Sequence, residues 1–133
     1  MADNPGPTIT LVNDAPSGRK MIGSYGDGGF TIEGVRHRGS VLVFPTRVEP
    51  WPVSRFEDIT LGSLAAVLGE GAGVEMLMVG CGVRGALAPA TLRDGLRQAG
   101  IASDFMDTGA ACRTFNVLLA EDRLVAAALI AVE

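Results

Sequence analysis

The chain changes its hydrophobic rhythm near its middle. Before that point the apolar positions fall in short extended runs: Lys20–Ser24 leads into the turn-rich Tyr25-Gly26-Asp27-Gly28-Gly29. Phe30–Val35 alternates Phe30, Ile32 and Gly34 against Thr31, Glu33 and Val35, the period of a half-buried strand. Arg36–Gly39 reads as the next turn, and Val41–Phe44 as a short apolar strand stopped by Pro45. Runs this short, joined by tight turns, predict an antiparallel meander. Glu49-Pro50-Trp51-Pro52 then reads as a stiff connector, because the prolines on either side of Trp51 restrict its backbone. Trp51 is either a lid on the core or an exposed anchor for a partner.

From Thr60 onward the period lengthens. Thr60 can cap a helix in which Leu61, Leu64, Ala65 and Leu68 recur at helical spacing, and Gly69 ends it. Val74–Val79 reads as a buried strand. Pro89 suits the first turn of a second helix that turns Leu92, Leu96 and Ala99 inward and stops at Gly100. Ile101–Met106 is another strand, and Thr108 can cap a third helix carrying Ala111, Phe115, Leu118 and Leu119. Leu124–Val132 is continuously apolar. Its alanines favour helix, but its place after a helix and a short polar break predicts a central strand buried on both faces. The second half therefore reads α-β-α-β-α-β, which calls for a largely parallel sheet covered by helices. The fold class expected is α/β: three layers, a mixed central sheet flanked by helices, and an N-terminal antiparallel hairpin or meander layer.

With 133 residues there is room for one core, placed at 19–133. Residues 1–18, rich in Pro, Asn, Asp and Gly, read as a mobile arm with at most one short strand at Ile9–Val12. A net charge of −4 gives no reason to expect nucleic acid or acidic lipid as a partner, and Arg36-His37-Arg38 is too short to track a phosphate backbone. Residues 1–20 contain no apolar signal core, and the apolar run 124–132 is less than half of the ~20 residues a membrane span needs. Cys81 and Cys112 are the only cysteines; they should be reduced, and two do not make a zinc site. The compartment expected is the cytoplasm.

Chemistry, if any, belongs at the carboxyl ends of the strands. Two loops leave strand ends there: Gly80-Cys81-Gly82-Val83-Arg84-Gly85, and Asp107-Thr108-Gly109-Ala110. The first matches G-x-G-x-x-G, but Leu87-Ala88-Pro89 separates its glycines from the next helix, so no N-terminus opens onto a pyrophosphate. Too little chain follows Asp107 for a second mononucleotide-binding half. A catalytic triad would have to recruit His37, the only histidine, from a hairpin turn. Cys81, with Arg84 nearby, and Cys112, near a helix start, are either a redox pair or buried inert thiols. Asp107 either caps the third helix or helps define a pocket. Glu121-Asp122-Arg123 is a polar turn. No catalytic residue, metal site or cofactor is assigned.

Several strings nonetheless form a recognisable series. Val79-Gly80-Cys81-Gly82, Met106-Asp107-Thr108, Ala111-Cys112-Arg113-Thr114-Phe115-Asn116-Val117-Leu118 and Glu121–Leu129 resemble, in order and spacing, the family of the mitochondrial complex I assembly factor three. Its bacterial relatives and the adipogenesis-associated proteins belong to the same family. The N-terminal half is similar through Gly29-Phe30-Thr31-Ile32, Gly39-Ser40-Val41-Leu42 and Trp51. The resemblance, spanning roughly residues 8–132, implies the same three-layer fold and a group with no established catalytic activity, whose mitochondrial members assist assembly of respiratory NADH dehydrogenase through protein partners. Gly80, Gly82, Asp107, Thr108, Ala111, Thr114, Asn116 and Glu121 match the family pattern. Cys81 stands where it has threonine, so redox chemistry there is no family trait. The expected candidate pocket for a ligand or partner is Gly80, Cys81, Gly82, Asp107, Thr108, Ala111, Thr114 and Asn116. The function expected is a non-catalytic interaction factor that meets complex I subunits or another assembly factor, at the inner membrane only through such a partner. The alternative is a small anionic-ligand binder or unrecognised enzyme using loops 80–85 and 107–110.

Overall fold

The computed structural model describes residues 6–11 and 18–133. The first strand, β1, is Ile9–Thr10; the rest of the arm expected over 1–18, apart from residues 6–8, 11 and 18, lies outside the described residues, Val12 included. The next strands are β2 (Ile22–Gly26), β3 (Gly29–Ile32), β4 (Val35–Arg38), β5 (Val41–Val43) and β6 (Val48–Pro50). After them come the short helix α1 (Ala65–Leu68), β7 (Met76–Gly80), α2 (Ala90–Gln98), β8 (Ala102–Met106), α3 (Thr108–Ala120) and β9 (Val125–Leu129).

Two sheets form. One is antiparallel in the order β1-β2-β3-β4; the other runs β6-β5-β9-β7-β8. In the second, β7 is parallel to both β8 and β9, while β5 is antiparallel to β9 and β6. This sheet is the middle layer. On one face Leu77, Val79, Ala126 and Ala128 pack with Leu64 and Val67 around α1 and Leu92 and Leu96 of α2. On the other Met78, Val125, Ala127 and Leu129 pack with Phe115 and Leu119 of α3 and with Phe30 and Ile32 of the antiparallel sheet. The α/β class and the three layers are as the sequence leads one to expect.

β9 sits at the centre of its sheet and every residue from Val125 to Leu129 is fully buried. Its alanines, poor strand formers by propensity, leave space for helices to close on both faces, so packing overrides propensity. Leu124 is exposed and the strand begins one residue later.

The hairpins correct the expected turns. Asp27-Gly28 alone connects β2 to β3, with Tyr25 and Gly26 already in the strand, and Glu33-Gly34 connects β3 to β4. Both residues of each turn have positive φ, between 49° and 77°, the primed geometry that matches strand twist. The run Phe30–Val35 is therefore two strands, and Arg36-His37-Arg38 is not a turn but the edge strand β4. Charged side chains suit such an edge because they discourage further pairing. Nor does the meander continue into β5, which joins the central sheet.

Of the expected connector Glu49–Pro52, Glu49 and Pro50 instead belong to β6, which pairs with β5 as an edge strand, where proline removes no needed donor. Trp51 is buried, and its Nε1 donates to the Ser63 carbonyl at 2.8 Å, which makes it a lid on the core. The first helix is shorter than its period suggests: Gly62–Leu64 is a 3₁₀ turn, only Ala65–Leu68 is α-helical, and Leu61 and Ala65 are exposed. Thr60 still exchanges bonds with Ser63, each side-chain oxygen accepting from the other's N–H. Ala99, expected inward on α2, lies beyond its last turn and is exposed.

Candidate functional site

The two strand-end loops meet. Cys81 N–H donates to the Met106 carbonyl at 2.7 Å, and Thr108 N–H donates to the Gly82 carbonyl at 2.8 Å. The Thr108 hydroxyl accepts from Gly82 N–H at 3.0 Å and donates to the Ile130 carbonyl at 2.7 Å. Ile130 N–H returns to the Gly80 carbonyl at 3.0 Å. The exits of β7, β8 and β9 are thus fastened to one another through one fully buried threonine. Gly80 is needed here because a Cβ would lie 2.9 Å from Thr108 Cα and 3.1 Å from a Leu129 methyl. Thr108 does not cap α3. Asp107 does, accepting from Ala110 N–H at 2.9 Å, while the next residue's hydroxyl is spent on the junction.

The other site residues serve α3's own contacts. Ala111 is fully buried beneath the helix. Thr114 donates to the Met106 sulfur at 3.7 Å. Asn116 accepts from Ile22 N–H and donates to the Ile22 carbonyl, both at 2.9 Å, with its side chain buried. Sequence reasoning had no means of naming that role, since Ile22 is distant in the chain.

An open cleft of ≈ 390 Å³ lies at the carboxyl ends of β7 and β9, lined by Phe56, Cys81, Gly82, Val83 and Ile130 among others. Of the eight expected pocket residues only Cys81 and Gly82 line it. Asn116 lines a different cleft, of ≈ 430 Å³, with Ile9, Leu11, Arg113 and Val117. The glycine loop does not open a helix: α2 begins at Ala90, and Gly82 N–H is already bonded to Thr108.

The cysteines do not form a pair. Cys81 packs on the face of the central sheet that carries α2, Cys112 on the face that carries α3, and the sheet stands between them. Both are free and buried. Burial pushes the Cys81 thiol above its ordinary value, and Asp107 adds to the rise, so Arg84 confers no thiolate character. Cys112 is pushed up to about 12, again first by burial. A group that stays protonated in the fold but ionises in the unfolded chain makes stability fall as pH rises through the unfolded value. From pH 9 upward Cys112 is expected to withdraw ~1.4 kcal/mol per pH unit, or about 2 kcal/mol by pH 10.5. Urea melts of the wild type and of Cys112→Ala should therefore diverge in slope over that range. Parallel slopes would show that the thiol ionises equally in both states.

Geometry defines the class: a three-layer α/β protein whose strand-end loops are bound to each other. Residues 22–130 match the family described as "Protein of unknown function (DUF498/DUF598)", and the chain belongs to that family. It is 35% identical over 123 residues to NADH dehydrogenase [ubiquinone] 1 alpha subcomplex assembly factor 3 of Xenopus tropicalis, covering 92% of this chain and 67% of that one. The human protein of the same name is 35% identical over 122 residues, 92% of this chain and 66% of its own length, so the alignment spans about two thirds of these relatives. An uncharacterised Rhodobacter capsulatus protein is 38% identical over 114 residues, 86% of each chain. Among solved structures, a Bartonella henselae protein described as an outer membrane protein superposes with a TM-score of 0.81 at 45% identity, covering 87% of this chain and 98% of that one. A Bordetella pertussis Mth938-like domain gives 0.78 at 29% identity, covering 92% of each. Family and fold agree with the resemblance drawn from the residues. Among the described residues no helix is long and apolar enough to cross a membrane.

Proposed function

We propose that this chain is a non-catalytic interaction protein that assists assembly of respiratory NADH dehydrogenase, binding complex I subunits or another assembly factor. It works in the cytoplasm and reaches the inner membrane only through that partner. The observation that carries this reading is the use of the candidate polar groups: Thr108 and Asp107 at the strand ends, and Asn116 within α3, are committed to main-chain bonds within the protein. The kinship with proteins named assembly factor 3 supports it. An affinity-tagged chain expressed in its native cells and recovered under mild conditions is expected to bring down identified subunits of NADH dehydrogenase. Their absence from the eluate, with the bait folded and abundant, would count against the reading.

One observation favours a second reading, a small anionic-ligand binder or enzyme: the open cleft against Cys81 and Gly82. A ligand held there would raise the melting temperature with the logarithm of its concentration once that exceeds the dissociation constant. Titration with inorganic phosphate and simple carboxylates at constant ionic strength separates the two, since the interaction protein is expected to show no such shift.

A further inference from the structure

Val83 and Leu87, in one short loop, are 81% and 85% exposed. The backbone that carries them is tied down. Gly82 exchanges two bonds with Thr108. Ala86 packs against the core, and Ala88 is buried. Anchors at 82, 86 and 88 leave Val83, Arg84 and Leu87 projecting from a fixed frame. A side chain presented this way loses less freedom on contact than one on a loose loop. Two large apolar groups held out together mark an interaction surface.

The same face also carries hollows. One is the cleft of ≈ 390 Å³ beside Phe56, Cys81 and Ile130. A second, of ≈ 380 Å³, lies among Ile59, Leu61, Pro89 and Leu92. The projections and most of the walls of both hollows come from segments 54–62 and 81–92, with residues 130–133 completing the first hollow. The charges are matched as well. Arg84 has no ion-pair partner among the described residues, whereas Glu57 lines the first hollow and Asp58 follows it. Glu57 does pair with Arg55, but both side chains are more than half exposed, and such a pair is weak enough to be exchanged.

A patch holding both halves of a complementary contact can satisfy itself through a two-fold axis, where residue i meets j and j meets i. We propose that the face formed by residues 54–62 and 81–92 is the isologous interface of a homodimer. In it Val83 and Leu87 of each protomer enter the other's hollows, and Arg84 faces the partner subunit's Glu57. The dimer rests on these residues alone and does not depend on the proposed assembly role.

Sedimentation velocity of the full chain over a wide range of loading concentrations tests this directly. The wild type is expected to show a concentration-dependent monomer–dimer equilibrium. Val83→Ser with Leu87→Ser, both at exposed positions, should keep the circular dichroism melt and weaken dimerisation by ~30-fold or more, as loss of a central apolar anchor does. Arg84→Glu should also weaken it, and Arg84→Glu combined with Glu57→Arg should recover part of the loss. A wild type that stays monomeric at every concentration overturns the proposal. So does a dimer that the Val83→Ser/Leu87→Ser variant leaves unchanged. A monomeric wild type whose capture of identified respiratory subunits is lost in that variant would give the face to a different protein instead.

Discussion

Replacing Asn116 with alanine is expected to destabilise the protein by ~2–5 kcal/mol, because it leaves a buried N–H and a buried carbonyl of Ile22 without partners, each costing ~1–3 kcal/mol. The local geometry explains why a side chain is needed there. The antiparallel sheet has a bulge between Ile22 and Ser24, and β1 pairs through Ile9 and Thr10, opposite Tyr25 and Ser24, with one further bond from Leu11 N–H to the Gly23 carbonyl. Among the described residues no strand reaches Ile22 from that side. The amide of Asn116 imitates one, offering an acceptor and a donor at strand spacing, and in doing so fastens α3 to the antiparallel sheet. For a chain of this size the loss should lower the thermal midpoint by roughly 10–20 °C. Asn116→Leu fills the space but restores neither bond, so it should recover little. A midpoint within a few degrees of wild type for either variant would mean that water or a shifted β2 takes over the amide's work.

Sequence periodicity locates elements well where one face alone is buried and an element is long. Leu92 and Leu96 mark α2, and Phe115 and Leu119 mark α3; the central strand is marked differently, by the unbroken apolar run Val125–Leu129 that burial on both faces demands. It fails at the first half's connections for a specific reason. A two-residue turn reverses strand parity, so Val35 shares a face with its partner Ile32, and the apparent alternation through Phe30–Val35 runs straight over the Glu33-Gly34 turn and conceals it. Glu33 adopts positive φ with no residue-type signal to announce it. Pro50 suggests a break, but β6 is an edge strand and tolerates it. That β5 leaves the meander for the central sheet depends on pairing with β9, a long-range choice that no local window contains.

The meeting of the two strand-end loops was legible in the sequence, but the roles of their residues were not. Gly80-Cys81-Gly82 and Asp107-Thr108 are indeed adjacent, as parallel strands with β7 beside β8 require. The division of labour is not written locally. Either Asp107 or Thr108 could cap α3, and only the position of Ile130 and Gly82, brought in by β9 and β7, decides that the hydroxyl is needed elsewhere. The separation of Cys81 from Cys112 likewise depends on which face of the sheet each element covers. The exposed pair Val83 and Leu87 could have been noticed as apolar residues in a glycine-rich loop, but only the anchoring of the flanking residues shows that they project.

Thr108→Val is expected to cost ~2–4 kcal/mol, since it keeps the shape of the side chain but leaves the Gly82 N–H and the buried Ile130 carbonyl unpartnered. Thr108→Ser keeps the hydroxyl and loses one buried methyl, which costs only ~1 kcal/mol. The ordering Thr, then Ser, then Val is therefore the signature of a structural hydroxyl. Hydrogen exchange should localise the damage: in the valine variant Gly82 and Ile130 amides should exchange faster than those of Leu96, whose helix lies across the sheet. The loop that carries Val83 and Leu87 is held through Gly82, so releasing that bond should also loosen the frame on which both side chains are presented. If valine proves as stable as serine, the hydroxyl is not bearing the junction. Should it instead leave stability and Gly82 exchange intact while abolishing capture of the respiratory subunits, Thr108 would be a contact residue and the strand-end junction a binding site.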